Sequence, residues 1–383
     1  MSGNNKDATI KGSFWGATIF YVFIAFEFLY MASPFAIYFY SAYNPALDFF
    51  NQSVTWSWMI SFFLPHIAKT SIPIFNIIPF IGGFLATLGF LFFCIGAIQV
   101  YYYKLAKKGA VTGGIYRYIR HPQYTSFIVC SFGLLLLWPR YIILIMFVTM
   151  LFAYYLLARV EERECEAKFG QSYLDYKNKT NMFIPIKFNL FRKIKFAHRP
   201  LLARIAVIFA IYIITVIGAI GLARMLDNMT LNSLYTYYTV DAAYISISEI
   251  DEQKMKKIIE IVTSNKQVLK MLERTNDEDK TKYLNYILPK EWYVSEIPMK
   301  GIDGREGVTP HLSPRDYDRD LYKVIFIKAE IRGETEAIGK DIITRVSNLT
   351  PIMEVWVNTA SGEVSLVEEL TQRFYINIPV AIY

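Results

Sequence analysis

Nineteen consecutive uncharged residues run from Ile205 to Ala223, closed at each end by an arginine, Arg204 and Arg224. At about 1.5 Å per residue a helix of that length covers a hydrocarbon core of about 30 Å. Lipid offers no partner to an unpaired backbone N–H or C=O, so such a segment must be helical. A second uncharged run, Ile72 to Tyr103, is longer still. The chain is 54% hydrophobic, above the about 45–50% usual for globular domains, and the excess implies lipid-facing surface. The expected architecture is a polytopic helical membrane core of five or six spans with a C-terminal α+β domain outside the bilayer.

Along the chain, residues 1–12 are polar and expected to be disordered, and 13–199 form the membrane-embedded core. Ser13 to Tyr40 reads as a retained first span, because its apolar run is too long for a signal peptide and lacks a small-residue cleavage site. Val54 to Pro65 is a shorter apolar piece, either a second span or an interfacial segment. Ile72 to Tyr103 follows, with a break expected at Pro79 and the pair Gly82-Gly83 inside it. After a basic connector (104–122), Tyr124–Leu137 and Tyr141–Ala158 flank Trp138-Pro139-Arg140, the pattern of a helical hairpin. Tyr101-Tyr102-Tyr103 and Trp138 read as interfacial aromatics. Residues 200–226 make the last span and 227–383 an extramembrane domain.

Charge divides along the same lines. Residues 1–226 carry 21 Lys+Arg against 8 Asp+Glu, net +13, and residues 227–383 carry 19 against 25, net −6. The positive charge sits in loops between spans, where the positive-inside rule accounts for it and nucleic acid need not be invoked. The hairpin returns the chain to its starting side, so 104–122 and 159–199, with five and ten Lys/Arg, share one compartment, the cytosol. The last span then carries 227–383 to the opposite side. The three cysteines and four histidines show no metal-ligand spacing, and no metal is expected.

In the C-terminal part, Glu249 to Arg274 repeats apolar residues at helical spacing. Tyr322–Ile327 reads as a strand, and 353–358 with 363–367 as a hairpin around Ala360-Ser361-Gly362. No catalytic motif occurs there, and what this domain binds is open.

Chemistry-bearing residues gather at the ends of the apolar segments. The connector contains Thr112-Gly113-Gly114-Ile115-Tyr116-Arg117-Tyr118-Ile119-Arg120-His121-Pro122-Gln123-Tyr124, the hairpin exits at Glu161-Glu162, and Phe169-Gly170-Gln171-Ser172-Tyr173-Leu174-Asp175-Tyr176 follows. Paired glycines let backbone approach a ligand. Pro122 suits the first turn of a helix, whose free N–H groups favour a carboxylate. Glu161 continues the helical face of Leu157 and Tyr154 and places a carboxylate where the apolar stripe ends, matching an ammonium or sulfonium. A zwitterion would find a positive and a negative pole at the membrane border.

The run TGGIYRYIRHPQY, the apolar hairpin, EE, FGQSYLDY and a closing Ile184-Pro185 closely resemble the isoprenylcysteine carboxyl methyltransferase and phospholipid methyltransferase superfamily, over about residues 95–187. The resemblance implies S-adenosyl-L-methionine bound by Lys108, Gly109, Ala110, Val111, Tyr116, His121, Pro122, Gln123, Tyr124, Glu161 and Glu162. It implies catalytic roles for His121 and Glu161, with Arg159 substituting for a substrate-contacting arginine whose position falls on Leu157. Two further departures are Ser126, where the family often has glycine, and Tyr101, where it often has a cofactor-binding glutamine with Gln99 close by. The implied partners are the lipid bilayer and an amphiphilic or prenylated acceptor. An acceptor already nucleophilic at pH 7 is favoured, because the resemblance assigns both candidate bases to the cofactor. A sterol-type NADPH reductase sharing the RHPxY pattern, and a degenerate core anchoring or sensing for the outer domain, are the alternatives.

Overall fold

A computed structural model describes residues 55–106, 109–185, 201–275, 281–294, 312–333 and 335–370, with Val22, Phe49, Phe50, Gln52, Ser53, Ile297 and Met299. The expected tail at 1–12 and nearly all of the expected first span at 13–40 lie outside the described residues. Two compact units are present: one is built from 78–222, the other joins the segment before Ile78 to 223–370.

In the first unit, α1 (Pro73–Leu105) runs through Pro79 as one helix, so the break expected there is absent. Helix α2 (Pro122–Leu137) opens with proline at its first position and stops before Trp138-Pro139, since proline disfavours helical backbone in the residue before it. Helix α3 (Tyr141–Phe169) completes the hairpin. Gly170, at φ 56°, then turns the chain directly into α4 (Gln171–Lys179). A side chain there would be strained by the backbone alone. Helix α5 (Leu201–Ser233) has 33 residues, as many as α1.

Three helices are long and apolar enough among the described residues to cross a bilayer: Pro73–Tyr103, Tyr141–Phe169 and Ile205–Ser233. Helix α2 is apolar but has 16 residues. Phe209, Ile214 and Ile217 on α5 are exposed in the isolated chain, as lipid-facing side chains should be. The segment Val54–Pro65 is not a spanning helix: its described residues form one 3-10 turn (Ser57–Ile60) and irregular chain. Trp138, read as an interfacial aromatic, is buried, whereas Tyr101 and Tyr102 are exposed.

Helices α1 and α2 meet backbone to backbone. A Cβ added at Gly89 would stand 2.4 Å from Cys130 N, and one at Gly133 would stand 2.3 Å from Ala86 N. Small residues permit such approach, and close packing supplies the attraction that the hydrophobic effect cannot supply within lipid. The carbonyl of Ser126 would lie 2.6 Å from the same Cβ at Gly89, so the close approach beside Ser126 is made by a glycine of the partner helix. Helix α5 leans on α3 within this unit through Thr149 Oγ1 and Tyr212 OH, 2.9 Å apart.

The second unit is one six-stranded sheet in chain order: β1 (Tyr235–Tyr238), β2 (Ala242–Ser246), β3 (Lys282–Pro289), β4 (Leu321–Ile331), β5 (Val346–Asn358) and β6 (Glu363–Glu369). All neighbours are antiparallel except β2 and β3, whose parallel pairing requires a crossover. That crossover is α6 (Glu252–Thr263) and α7 (Lys266–Thr275). The single helical pattern expected over 249–274 is thus two helices. Asn265 separates them, its side chain accepting from the N–H groups of Gln267 and Val268 at 2.9 and 3.2 Å, an N-cap that starts a new helix. Apolar cores cover both sheet faces, one under α6 and α7 and the other under the short α8 (Lys340–Thr344). The strand expected at 322–327 and the hairpin at 353–367 are present.

The chain ahead of α1 belongs to this second unit. Lys69 N donates to Ile247 O at 2.9 Å, Ser71 N donates to Ser233 O at 2.8 Å, and Thr70 bridges Leu234. Asn76 closes the same corner by exchanging two 2.9 Å hydrogen bonds with the Thr70 backbone.

Candidate functional site

The connector is held from three directions. From α1, Gln99 donates to Gly113 O at 2.6 Å, and Gly114 at φ 58° turns the chain directly over that amide. From α4, Tyr176 OH donates to Tyr116 O at 2.6 Å. From the chain after α4, Asn181 O and Met182 O accept from the N–H groups of Arg120 and His121 at 2.8 and 3.1 Å. Two main-chain bonds fix the end of a connector whose one regular element is the short 3-10 helix Gly114–Arg117.

This scaffold sets His121 against the hairpin exit. The imidazole stacks parallel to Tyr124, whose ring stacks in turn on Tyr154 with centroids 4.7 Å apart. Its Nδ1 lies 3.4 Å from Glu161 Oε2, and its Nε2 lies 3.6 Å from Glu162 Oε1, too far for a hydrogen bond. The Nε2 atom is buried and has no hydrogen-bond partner among the described residues. Tyr124 OH donates to Glu161 Oε1. Burial pulls the imidazole toward neutrality, but the two glutamates outweigh it, so the His121 pKa lies above its ordinary value.

The two glutamates face different surroundings. Glu161 keeps 47% of its side chain exposed, whereas Glu162 keeps 2% and is clasped by Arg120 Nε at 2.6 Å and Lys177 Nζ at 2.9 Å. The Arg120 guanidinium also donates to the carbonyls of Lys177 and Thr180. A buried carboxylate is tolerable only when paired and hydrogen-bonded in this way.

Between these elements opens a cavity of about 290 Å³, near the lower end of the range for small-molecule pockets, about 300–1,000 Å³. Its walls are Val100 from α1, Ala110, Val111, Tyr116, Arg120 and His121 from the connector, Gln123 and Tyr124 from α2, Glu161, Glu164 and Cys165 from α3, and Tyr173 and Tyr176 from α4. Burial raises the phenol pKa values of Tyr116 and Tyr173 and pushes that of Tyr176 up to about 12, so all three keep their phenolic protons at neutral pH.

Of the residues singled out in the sequence, Ala110, Val111, Tyr116, His121, Gln123, Tyr124 and Glu161 come together on the cavity. Gly109 and Pro122 stand one position away from lining residues, Glu162 is turned to Arg120 and Lys177, and Lys108 lies outside the described residues. Arg159 is exposed on α3 and does not line the cavity. Val100, Glu164 and Cys165 carried no motif; Tyr173 and Tyr176 sat in one without an assigned role. Gln99 props the connector, and Tyr101 points outward.

These walls follow one order along the chain: an apolar helix, a glycine-bearing connector, a hairpin, a paired acidic exit. Residues 76–172 match the phospholipid methyltransferase family. No curated protein and no solved structure matched the chain. The match agrees with the superfamily that the motifs resemble and points to a membrane methyltransferase. It covers about a quarter of the 383 residues. The matched segment takes in α1 from Asn76, the connector, α2 and α3, and ends just before Tyr173, Tyr176 and Lys177. The second unit's sheet falls wholly outside it.

Proposed function

We propose that the cavity holds S-adenosyl-L-methionine and that the enzyme methylates a membrane-embedded, lipid-like acceptor, an isoprenylcysteine-type carboxylate or a phospholipid amine. The observation that carries this reading is that one small cavity is lined side by side by a buried imidazole, whose Nε2 has no hydrogen-bond partner among the described residues, and the half-exposed Glu161 carboxylate. That donor and acceptor set fits a ligand bearing both a carboxylate and cationic groups. When bound, S-adenosyl-L-methionine supplies an electrophilic methyl group on a sulfonium.

The residues of the chain do the rest by position. Glu161, oriented by Tyr124 and His121, presents negative charge to a cationic ligand. Tyr116, Tyr173 and Tyr176 line the cavity and stay protonated. His121, its pKa raised by Glu161 and Glu162 against the opposing effect of burial, is engaged by the two carboxylates. A dry, preorganised site can accelerate an in-line displacement without an acid–base relay, and the acceptor favoured is one that needs no deprotonation, a carboxylate.

The positive-inside asymmetry supports a cytosolic site in a multi-pass membrane protein. With α1 and α5 spanning, residues 227–383 are placed on the opposite side.

The test is calorimetric titration of the detergent-purified protein with S-adenosylhomocysteine beside a His121→Ala variant. Saturable binding abolished by the substitution supports the site. Absence of binding in detergents and nanodiscs would leave the anchor or sensor reading, and binding of NADPH instead would favour the reductase.

A further inference from the structure

Glu161 and Glu162 are consecutive, yet the cations around them are unevenly shared. Arg120 and Lys177 both bond Glu162, and Lys177 also bonds Glu166 one turn further along α3. Glu161, which lines the cavity together with Glu164, meets among the described residues His121 Nδ1 at 3.4 Å and the neutral hydroxyl of Tyr124. Lys177 does not line the cavity, and neither does Glu166. Their charges nevertheless reach its wall through Glu162, which joins Lys177 to the lining Arg120, and both side chains are only part-exposed. The electrostatic potential at the cavity is therefore set partly by two residues that touch nothing inside it.

Resting on the reading of the cavity as an S-adenosyl-L-methionine site, we propose that Lys177 and Glu166 are positioning residues that set the preference of the site for a sulfonium over the neutral thioether left after methyl transfer. Donor and product differ by one positive charge at sulfur, so any change in the local potential acts on one and spares the other. Lys177 offsets one unit of the negative charge behind Glu161. Without it, the site would bind the charged ground state more tightly than the transition state, in which that charge is dispersing, and binding energy would be lost from catalysis. Glu166 acts in the opposite sense by engaging Lys177. One unit charge at this range, partly screened because Lys177 and Glu166 each remain about one-third exposed, corresponds to roughly a three- to tenfold change in relative affinity.

The experiment titrates the full-length, detergent-purified protein with S-adenosylmethionine and with S-adenosylhomocysteine and compares the ratio of affinities. Lys177→Met is expected to raise the ratio in favour of the sulfonium, Glu166→Gln to lower it, and Lys177→Arg to restore the wild-type value. Both shifts should shrink in high salt. A merely structural role would weaken both ligands equally, and an unmoved ratio, or shifts of the same sign in both variants, overturns the proposal while leaving the site intact. Wild-type protein that binds neither ligand overturns the site reading and this inference with it. If Lys177→Met does not fold, the part-exposed Glu166→Gln decides by its sign alone.

Discussion

Tyr124 donates its phenolic hydrogen to Glu161, 37 positions along the chain, and so couples the first turn of α2 to the C-terminal third of α3. Its ring lies between those of His121 and Tyr154, so one side chain sets both the imidazole plane and the carboxylate direction.

Tyr124→Phe keeps the stack and loses the hydrogen bond. The expected result is a several-fold weaker affinity for S-adenosylhomocysteine, about 1 kcal/mol, with the melting temperature nearly unchanged. Unaltered affinity by calorimetry would detach the hydroxyl from ligand binding.

Glu161→Gln and Glu162→Gln should part company. The first faces the cavity and should lose ligand affinity with little loss of stability. The second would leave Arg120 and Lys177 around a neutral amide in a buried place, and removing one partner of such a cluster costs about 3–5 kcal/mol. Denaturation in detergent and calorimetry on both variants check the split.

His121 should make stability depend on pH with a definite sign. Its folded pKa is raised, because Glu161 and Glu162 on α3 outweigh the burial that opposes its charge; Arg120 beside it and Lys177 on α4 temper that attraction. The protonated ring thus stabilises the fold fully below the unfolded value of about 6.5. That contribution fades as pH rises through the folded value. The melting-temperature gap between wild type and His121→Gln should be widest near pH 6 and narrow toward pH 9; a gap that widens with pH contradicts the arrangement.

Gly89→Ala should loosen the contact between α1 and α2, because the new Cβ would collide with backbone at Cys130 and Ser126; overpacking of this kind costs about 1–3 kcal/mol. Gly83→Ala, on the same helix with nothing within 4 Å, should be neutral or gain a few tenths of a kcal/mol, at most about 1. Equal losses in thermal melts would refute the packing account.

Single cysteines at Ser172 and Ser361, both exposed, report the topology once the native cysteines are replaced. A membrane-impermeant reagent applied from outside should label the second and spare the first. The reverse pattern would invert the orientation.

Much of this was legible in one dimension. The uncharged run 205–223, the proline at 122, the Trp-Pro break and the alternation in 353–367 each mark an element through rules that act within a few residues. The motif around His121 and the acidic pair was legible for the same reason, since residue type and spacing carry it. The split at Asn265 was missed because one side-chain cap, not a lapse in apolar period, ends the pattern there.

The sequence by itself marked the apolar segments that become α1, α2, α3 and α5, and the residues that carry charge at their ends. Only the tertiary structure decided that Glu161 lines the cavity while Glu162 turns to Arg120 and Lys177. Consecutive helical residues differ by about 100° around the axis, and which direction faces a ligand depends on what packs there. It also decided that the chain before α1 joins the C-terminal sheet, through backbone bonds at Lys69, Thr70 and Ser71. Every residue but proline offers the same main-chain N–H and C=O, so such pairing leaves no signature in side-chain pattern and is settled only when the chain has folded.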